Sequence, residues 1–383
     1  MYITKEEIRR RQEYLRRIMA GMETDALCVG ASAQIDTRGI FRYLINYYLP
    51  VFEEYLVIPR LGPAVLFVHD SCGMDYARNF GVVDEVRVMP EREYAADPAK
   101  SVVSFLRDIG CKTVGTVWGR GISSSFCLSF RNHLGGIKTK DFAAILDRMR
   151  MIKSPAEIAI MKEAVRFNEK VLEVYLKEIA IGRREQDTLG EASLFALQNG
   201  AEDLYWMNFS CKIPAMGYHA ASRERASRWQ RGDYHYVVLE HSYRGGYFSE
   251  IIQMVSLRGK PKKEYLDAYR AVSAAQREAG CAIKPGVQVS RLSDIARSVL
   301  AAYGYCRPEA PFPSIGHSQG LDAWEPPRIS GDENITIKPG MRFNLHPSVT
   351  LPDGAKITSC VSYLSTENGS ELLSTPSGEI IVV

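Results

Sequence analysis

Ser154-Pro155 divides this chain into two regimes of pattern. Glu157 follows Ser154 by three residues. Ser at the cap, proline at the first helical position and Glu in the first turn mark a helix start. The Ser oxygen and the Glu carboxylate each take up a backbone N–H that the first turn leaves unbonded. Upstream of this point, helical and strand patterns alternate in short segments. Downstream, long helical patterns lead into a hairpin. Such a boundary predicts two domains, 1–147 and 148–383, and a chain of 383 residues is long enough to build both.

In the first domain, residues 5–22 read as an amphipathic helix. Asp25-Ala-Leu-Cys-Val-Gly30 reads as a short buried strand. Two apolar runs, 55–58 and 64–68, are parted by Pro59-Arg-Leu-Gly-Pro63, which predicts a hairpin or tight connection. Residues 98–109 read as a helix and 113–117 as a strand. This is the alternation of an α/β domain. In the second domain, helical patterns run from Pro155 to about residue 180 and across 186–199, 262–280 and 289–303. Residues 234–257 are strand-like around Gly245-Gly246, which predicts a hairpin. The expected fold class is α+β.

Composition removes several functions. Apolar residues are 46% and charged residues 24%, ordinary for a globular protein. The net charge is +3, with no dense basic run, so neither nucleic acid nor an anionic membrane is an expected partner. The N-terminal stretch is charged and helix-periodic, unlike a secretory signal. No apolar run approaches the roughly 18 residues of a membrane span. Eight scattered cysteines form no paired framework, which reads as reduced thiols and a cytoplasmic protein.

Six segments carry a resemblance. They are Arg150-Met-Ile-Lys-Ser-Pro-Ala-Glu-Ile158, Gly232-Asp233 with Gly246-Tyr247, Ile283-Lys-Pro-Gly286, Gly316-His-Ser-Gln-Gly-Leu-Asp322 with Glu325-Pro326, Lys338-Pro-Gly-Met341, and Thr366-Glu-Asn-Gly369. In this order and spacing, the chain resembles the creatinase / Xaa-Pro peptidase pita-bread family, which includes prolidase, aminopeptidase P and methionine aminopeptidase. The resemblance implies an N-terminal creatinase-like α/β domain and a C-terminal pita-bread domain of curved antiparallel sheet covered by helices. It also implies a homodimer acting on a small-molecule substrate.

In the family's metallopeptidases, two Asp, one His and two Glu hold two metal ions. Carried over by resemblance, the His falls on His317 and the second Asp on Glu250. The first Asp, eleven residues earlier in the family, falls on Leu239, with Glu240 and His241 beside it. A slip of one residue turns a strand side chain to the other face, so this position stays open between Glu240, His241 and loss. The first Glu falls on His346, before Pro347, and the last on Cys360. No carboxylate lies between Asp353 and Glu367. The usual pair of metal ions is therefore not expected. Glu250, His317, His346 and Cys360, with Glu240 or His241, would suffice for a single divalent transition ion, since two His and a carboxylate form a known donor set.

A creatinase-like pocket with no cofactor is the leading expectation. It makes the chain a hydrolase cleaving a C–N bond in a small molecule, with lyase chemistry as a variant. By resemblance, His219 is the proton-transferring base and Glu325 the retained acid of the GHSQGLD segment. Glu250, His317 and His346 would bind substrate. Trp324 stands where the family has a second His. It adds an apolar, π-rich wall with Tyr218 and Tyr247, able to face a planar ring or a substituted ammonium, although core packing is the plainer role. Glu53, with Glu54, stands where creatinase presents a substrate-binding Arg, and a solvated surface carboxylate is the plainer reading there. The alternatives are a single-metal, Xaa-Pro peptidase-like enzyme and a catalytically silent binding homologue.

Overall fold

The start of the second regime folds as its sequence dictates. The Ser154 side chain accepts from Glu157 N at 3.2 Å, and the Glu157 carboxylate accepts from Ser154 N at 2.8 Å. This closed capping box opens the helix Pro155–Lys177. The computed structural model describes residues 3–34, 37–48, 52–119, 121–207, 209–214, 228–307, 313–375 and 378–383. They group into two units, Ile3–Arg150 and Met151–Val383.

The first unit is a six-stranded sheet in the order Glu85–Val88, Val65–Val68, Glu54–Pro59, Ala26–Ala31, Thr113–Trp118, Lys138–Asp141. Ala26–Ala31 pairs antiparallel with Glu54–Pro59 and parallel with Thr113–Trp118. The central strands are buried throughout, which is why they read as unbroken apolar runs rather than alternating ones. The helix Lys5–Gly21 is capped by Thr4 and buries Ile8, Leu15 and Met19. Short helices at Gly39–Ile45, Ser71–Phe80 and Ser124–His133 were not read from the sequence, whereas Ala99–Asp108, of similar length, was.

The second unit is built on the hairpin Tyr234–Tyr243 and Tyr247–Ser256. Its two faces diverge by simple alternation. Val237, Leu239, Ile251 and Val255 pack against Phe167, Val171 and Tyr175 of the long helix. Tyr236, Val238, Ile252 and Met254 join the other core, with Ala268, Val272 and Ala275 of the helix Lys263–Cys281. A second sheet runs Glu325–Arg328, Gly316–Ser318, Arg342–Leu345, Val361–Ser365, Ser370–Leu372, with neighbours antiparallel. Phe343, Leu345, Val361 and Tyr363 bury into the same core as the hairpin's even-numbered residues. Among the described residues no helix is long and apolar enough to cross a membrane.

Candidate active site

Polar side chains on buried strands need partners, because burying one without a hydrogen bond costs on the order of 1–3 kcal/mol. Three ligand-type side chains of the second unit converge from separate strands. Glu250 comes from the hairpin, His317 from Gly316–Ser318, and His346 from just beyond Arg342–Leu345. A ligand atom of each lies within 4.8 Å of the other two. Glu250 and His317 are buried, and His346 and Cys360 are partly exposed.

Each histidine is prepared as a neutral donor. His317 Nδ1 lies 2.8 Å from the Ser318 carbonyl, a contact only a protonated Nδ1 can make as donor. That fixes the tautomer and leaves the Nε2 lone pair facing Glu250 Oε2 at 3.7 Å. Desolvation is the largest cause pushing the His317 pKa down to about 4, with the Glu250 charge opposing it. Desolvation likewise pulls His346 down to about 4. His346 Nε2 is buried and has no hydrogen-bond partner among the described residues. The two rings lie 5.2 Å apart, centroid to centroid.

Glu250 is held by two further groups. Asn344 Nδ2 donates to its Oε2 at 3.2 Å, and the Cys360 thiol lies 3.5 Å from the same oxygen. Desolvation first, and the Glu250 charge second, hold that thiol well above its usual range. Asn344 also donates to Gln319 Oε1 at 3.0 Å and accepts from Ser362 Oγ at 2.6 Å. Gln319 Nε2 in turn donates to Glu240 Oε1 at 3.2 Å.

The pairing register settles which hairpin residue faces the cluster. Glu240 stands directly across from Glu250, whereas His241 pairs with Ser249. His241 therefore points to the helix-covered face, where its Nδ1 accepts from Tyr205 N at 3.2 Å and Trp206 packs on its ring. The same alternation carries Tyr247 away from Trp324, and its hydroxyl donates to Glu157 at 2.8 Å. The Glu240 carboxyl is pushed well above its usual range, by desolvation first and then by the Glu250 charge.

Other expected residues lie elsewhere. Trp324 forms a wall beside His317, with centroids 6.1 Å apart. Glu325 is buried in an ion pair with Lys153 at 3.0 Å and accepts from Asp322 N at 3.2 Å. Its carboxylate is thus engaged by Lys153 and by the Asp322 N–H. In the first unit, Glu53 accepts from Ser123 N and Oγ and from the Tyr55 hydroxyl. The adjacent Glu54 is buried, and desolvation pushes it up to about 7. Tyr218 and His219 lie outside the described residues. Arg342, Asn344, Gln319 and Lys153 were not singled out from sequence. The available signal was a polar residue at every second position of an otherwise apolar strand, Arg342 and Asn344 against Phe343 and Leu345.

The chain matches the profile of metallopeptidase family M24 over residues 159–367. It is 30% identical over 306 residues to an Xaa-Pro dipeptidase of Pyrococcus horikoshii, covering 76% of this chain and 84% of the relative. The fold superposes on a prolidase from the same organism with a TM-score of 0.80 and 23% identity, over 98% of this chain and all of the other. It superposes on an X-Pro aminopeptidase of Thermotoga maritima with a TM-score of 0.83 and 23% identity, over 97% and 99% of the two chains. At these identities the structural likeness speaks to the fold.

Proposed function

The chain belongs to metallopeptidase family M24, and from that premise we propose that it hydrolyses the amide C–N bond of a small substrate with a single divalent ion. The observation that carries this reading is the convergence of Glu250, His317 and His346 within 4.8 Å, with a buried His346 nitrogen that nothing among the described residues satisfies. Two His and one Glu are the protein donors of several single-zinc peptidases, which keep a fourth position open. Neutral imidazoles suit that task, because a ligand nitrogen must be unprotonated. A bound ion would polarise the substrate carbonyl and lower the pKa of water.

The residues of this chain do the rest. His317 is orientated through its Nδ1–H and the Ser318 carbonyl, and Glu250 through Asn344. Trp324 supplies an apolar wall for the substrate. The family's dinuclear pair fits poorly. Of the five positions carried over, two hold His346 and Cys360 in place of carboxylates. His219, on which the metal-free reading turns, lies outside the described residues.

The Xaa-Pro dipeptidase relative makes Xaa-Pro dipeptides the first substrates to try. The test combines elemental analysis of the purified protein with turnover of a dipeptide panel. We expect about one equivalent of Zn, Mn or Fe, lost together with turnover in H317A and H346A. Turnover that survives either substitution or chelation would exclude the single-ion mechanism. Bound metal with no turnover of any amide would leave a silent binding homologue.

A further inference from the structure

Gln276 is a polar residue on the core-facing side of the helix Lys263–Cys281, 2% exposed beside Val272, Ala275 and Ala279. A buried amide needs hydrogen-bond partners, and this one finds them on two strands. Its Nε2 donates to the Leu345 carbonyl at 2.9 Å and to the Ser359 carbonyl at 2.6 Å. Its Oε1 accepts from Ser359 Oγ at 3.0 Å. Leu345 immediately precedes His346, and Ser359 immediately precedes Cys360.

The two carbonyls flank a break in the strand pairing. Leu345 pairs with Val361, and Ser348 pairs with Thr358, so one antiparallel register holds on either side of the break. Inside it lie His346 and Pro347 on one strand, and Ser359 and Cys360 on the other. Pro347 has no N–H to give, so the ladder loses a donor there. The N–H groups of His346 and Cys360 go elsewhere, to the Ile315 carbonyl at 2.6 Å and the Ile252 carbonyl at 3.3 Å. Carbonyls left in such a gap need other donors. The Thr358 hydroxyl serves Pro347 O at 2.9 Å, and the Gln276 amide serves Leu345 and Ser359. One planar amide thus joins both strands at the point where His346 leaves the ladder.

We infer that Gln276 is a positioning residue for the metal site, a side-chain rung across the gap that sets where His346 presents its Nε2. The inference rests on the single-ion reading proposed above. The plainer alternative is a tether between helix and sheet, which would affect stability alone. Two measurements on the full-length protein separate them: zinc affinity against a competing chelator, taken where the protein is fully folded, and urea unfolding. Q276M keeps the approximate volume and removes all three hydrogen bonds. V272A loosens the same core and leaves those bonds in place. Q276M should weaken zinc binding by about 10–100-fold, the usual effect of losing a group that orientates a ligand. V272A should destabilise the fold by leaving a cavity, yet keep zinc affinity within about 2-fold of wild type. Unchanged affinity in Q276M, or an equal loss in V272A, would overturn the inference while leaving a metal site intact. No zinc in the wild type would instead remove the single-ion reading, and this inference with it. Should Q276M fail to fold, S359A decides. It removes only the hydroxyl that orientates the amide, so zinc should bind about 3-fold more weakly or worse, the worth of one hydrogen bond. Unchanged affinity in S359A would overturn the inference.

Discussion

Lys153→Met tests whether Glu325 is a buried structural charge. The two groups meet at 3.0 Å with side chains 2% and 4% exposed, so neither has water to fall back on. Removing one member of such a pair leaves the other charge buried and uncompensated, at a cost of about 3–5 kcal/mol. Glu325 would keep the Asp322 N–H at 3.2 Å, which points to the lower end of that range. About 3 kcal/mol is a change of over a hundredfold in the folding equilibrium. Replacing both charges, in K153M/E325Q, removes the orphan and should return most of that loss, because neutral pairs of similar volume often match buried ion pairs. Urea unfolding of the full-length chain, followed by tryptophan fluorescence, is a suitable assay, since Trp206, Trp229 and Trp324 all lie in the same unit as the pair. A loss below about 1 kcal/mol in K153M, or a double variant no more stable than the single one, would refute the reasoning.

Asn344→Ala should weaken metal binding by about 10–100-fold, the usual effect of removing a group that orientates a ligand, as measured against a competing chelator. Unchanged affinity would mean that Glu250 does not depend on Asn344. His241, on the opposite face, should make stability depend on pH. Its folded pKa is depressed to about 3, by desolvation first, from the 6.5 of an unperturbed imidazole. Between those values the unfolded chain binds more protons, so stability falls as pH drops below about 6.5, with a slope near 1.4 kcal/mol per pH unit. H241Q should make that part of the stability curve less steep, with the contributions of His317 and His346 remaining, and an unaltered curve would show that His241 does not titrate as described.

What was legible in the sequence followed from rules of short range. Ser154 and Glu157 announced the long helix because a capping box is local. The hairpin was visible because Gly245 and Gly246 both take positive φ, at 86° and 81°, and glycine reaches that region most easily. Glu250, His317 and His346 could be picked out because ligand-type residues stood at motif positions. Glu240 could not be separated from Leu239 and His241 by counting, since one residue decides the face and only strand pairing fixes the register. Glu325 was noticed without its partner, because Lys153 lies 172 residues away. Asn344, Gln319 and Arg342 are ordinary polar residues until the sheets bring them together.

The cluster hangs from strands whose footing is apolar, with Tyr236, Ile315 and Phe343 all buried in one core. In a small zinc module the ion is the keystone, and stripping it unravels the chain. Here the masonry stands without it. If the single-ion proposal holds, a preparation that had shed its ion in an affinity column or a chelating buffer would still elute and scatter light like an intact one, and would differ in stability only by the linkage of the ion to the folded state. Every assay of shape would pass it as sound, and only an assay of chemistry would notice that the tool had left the handle.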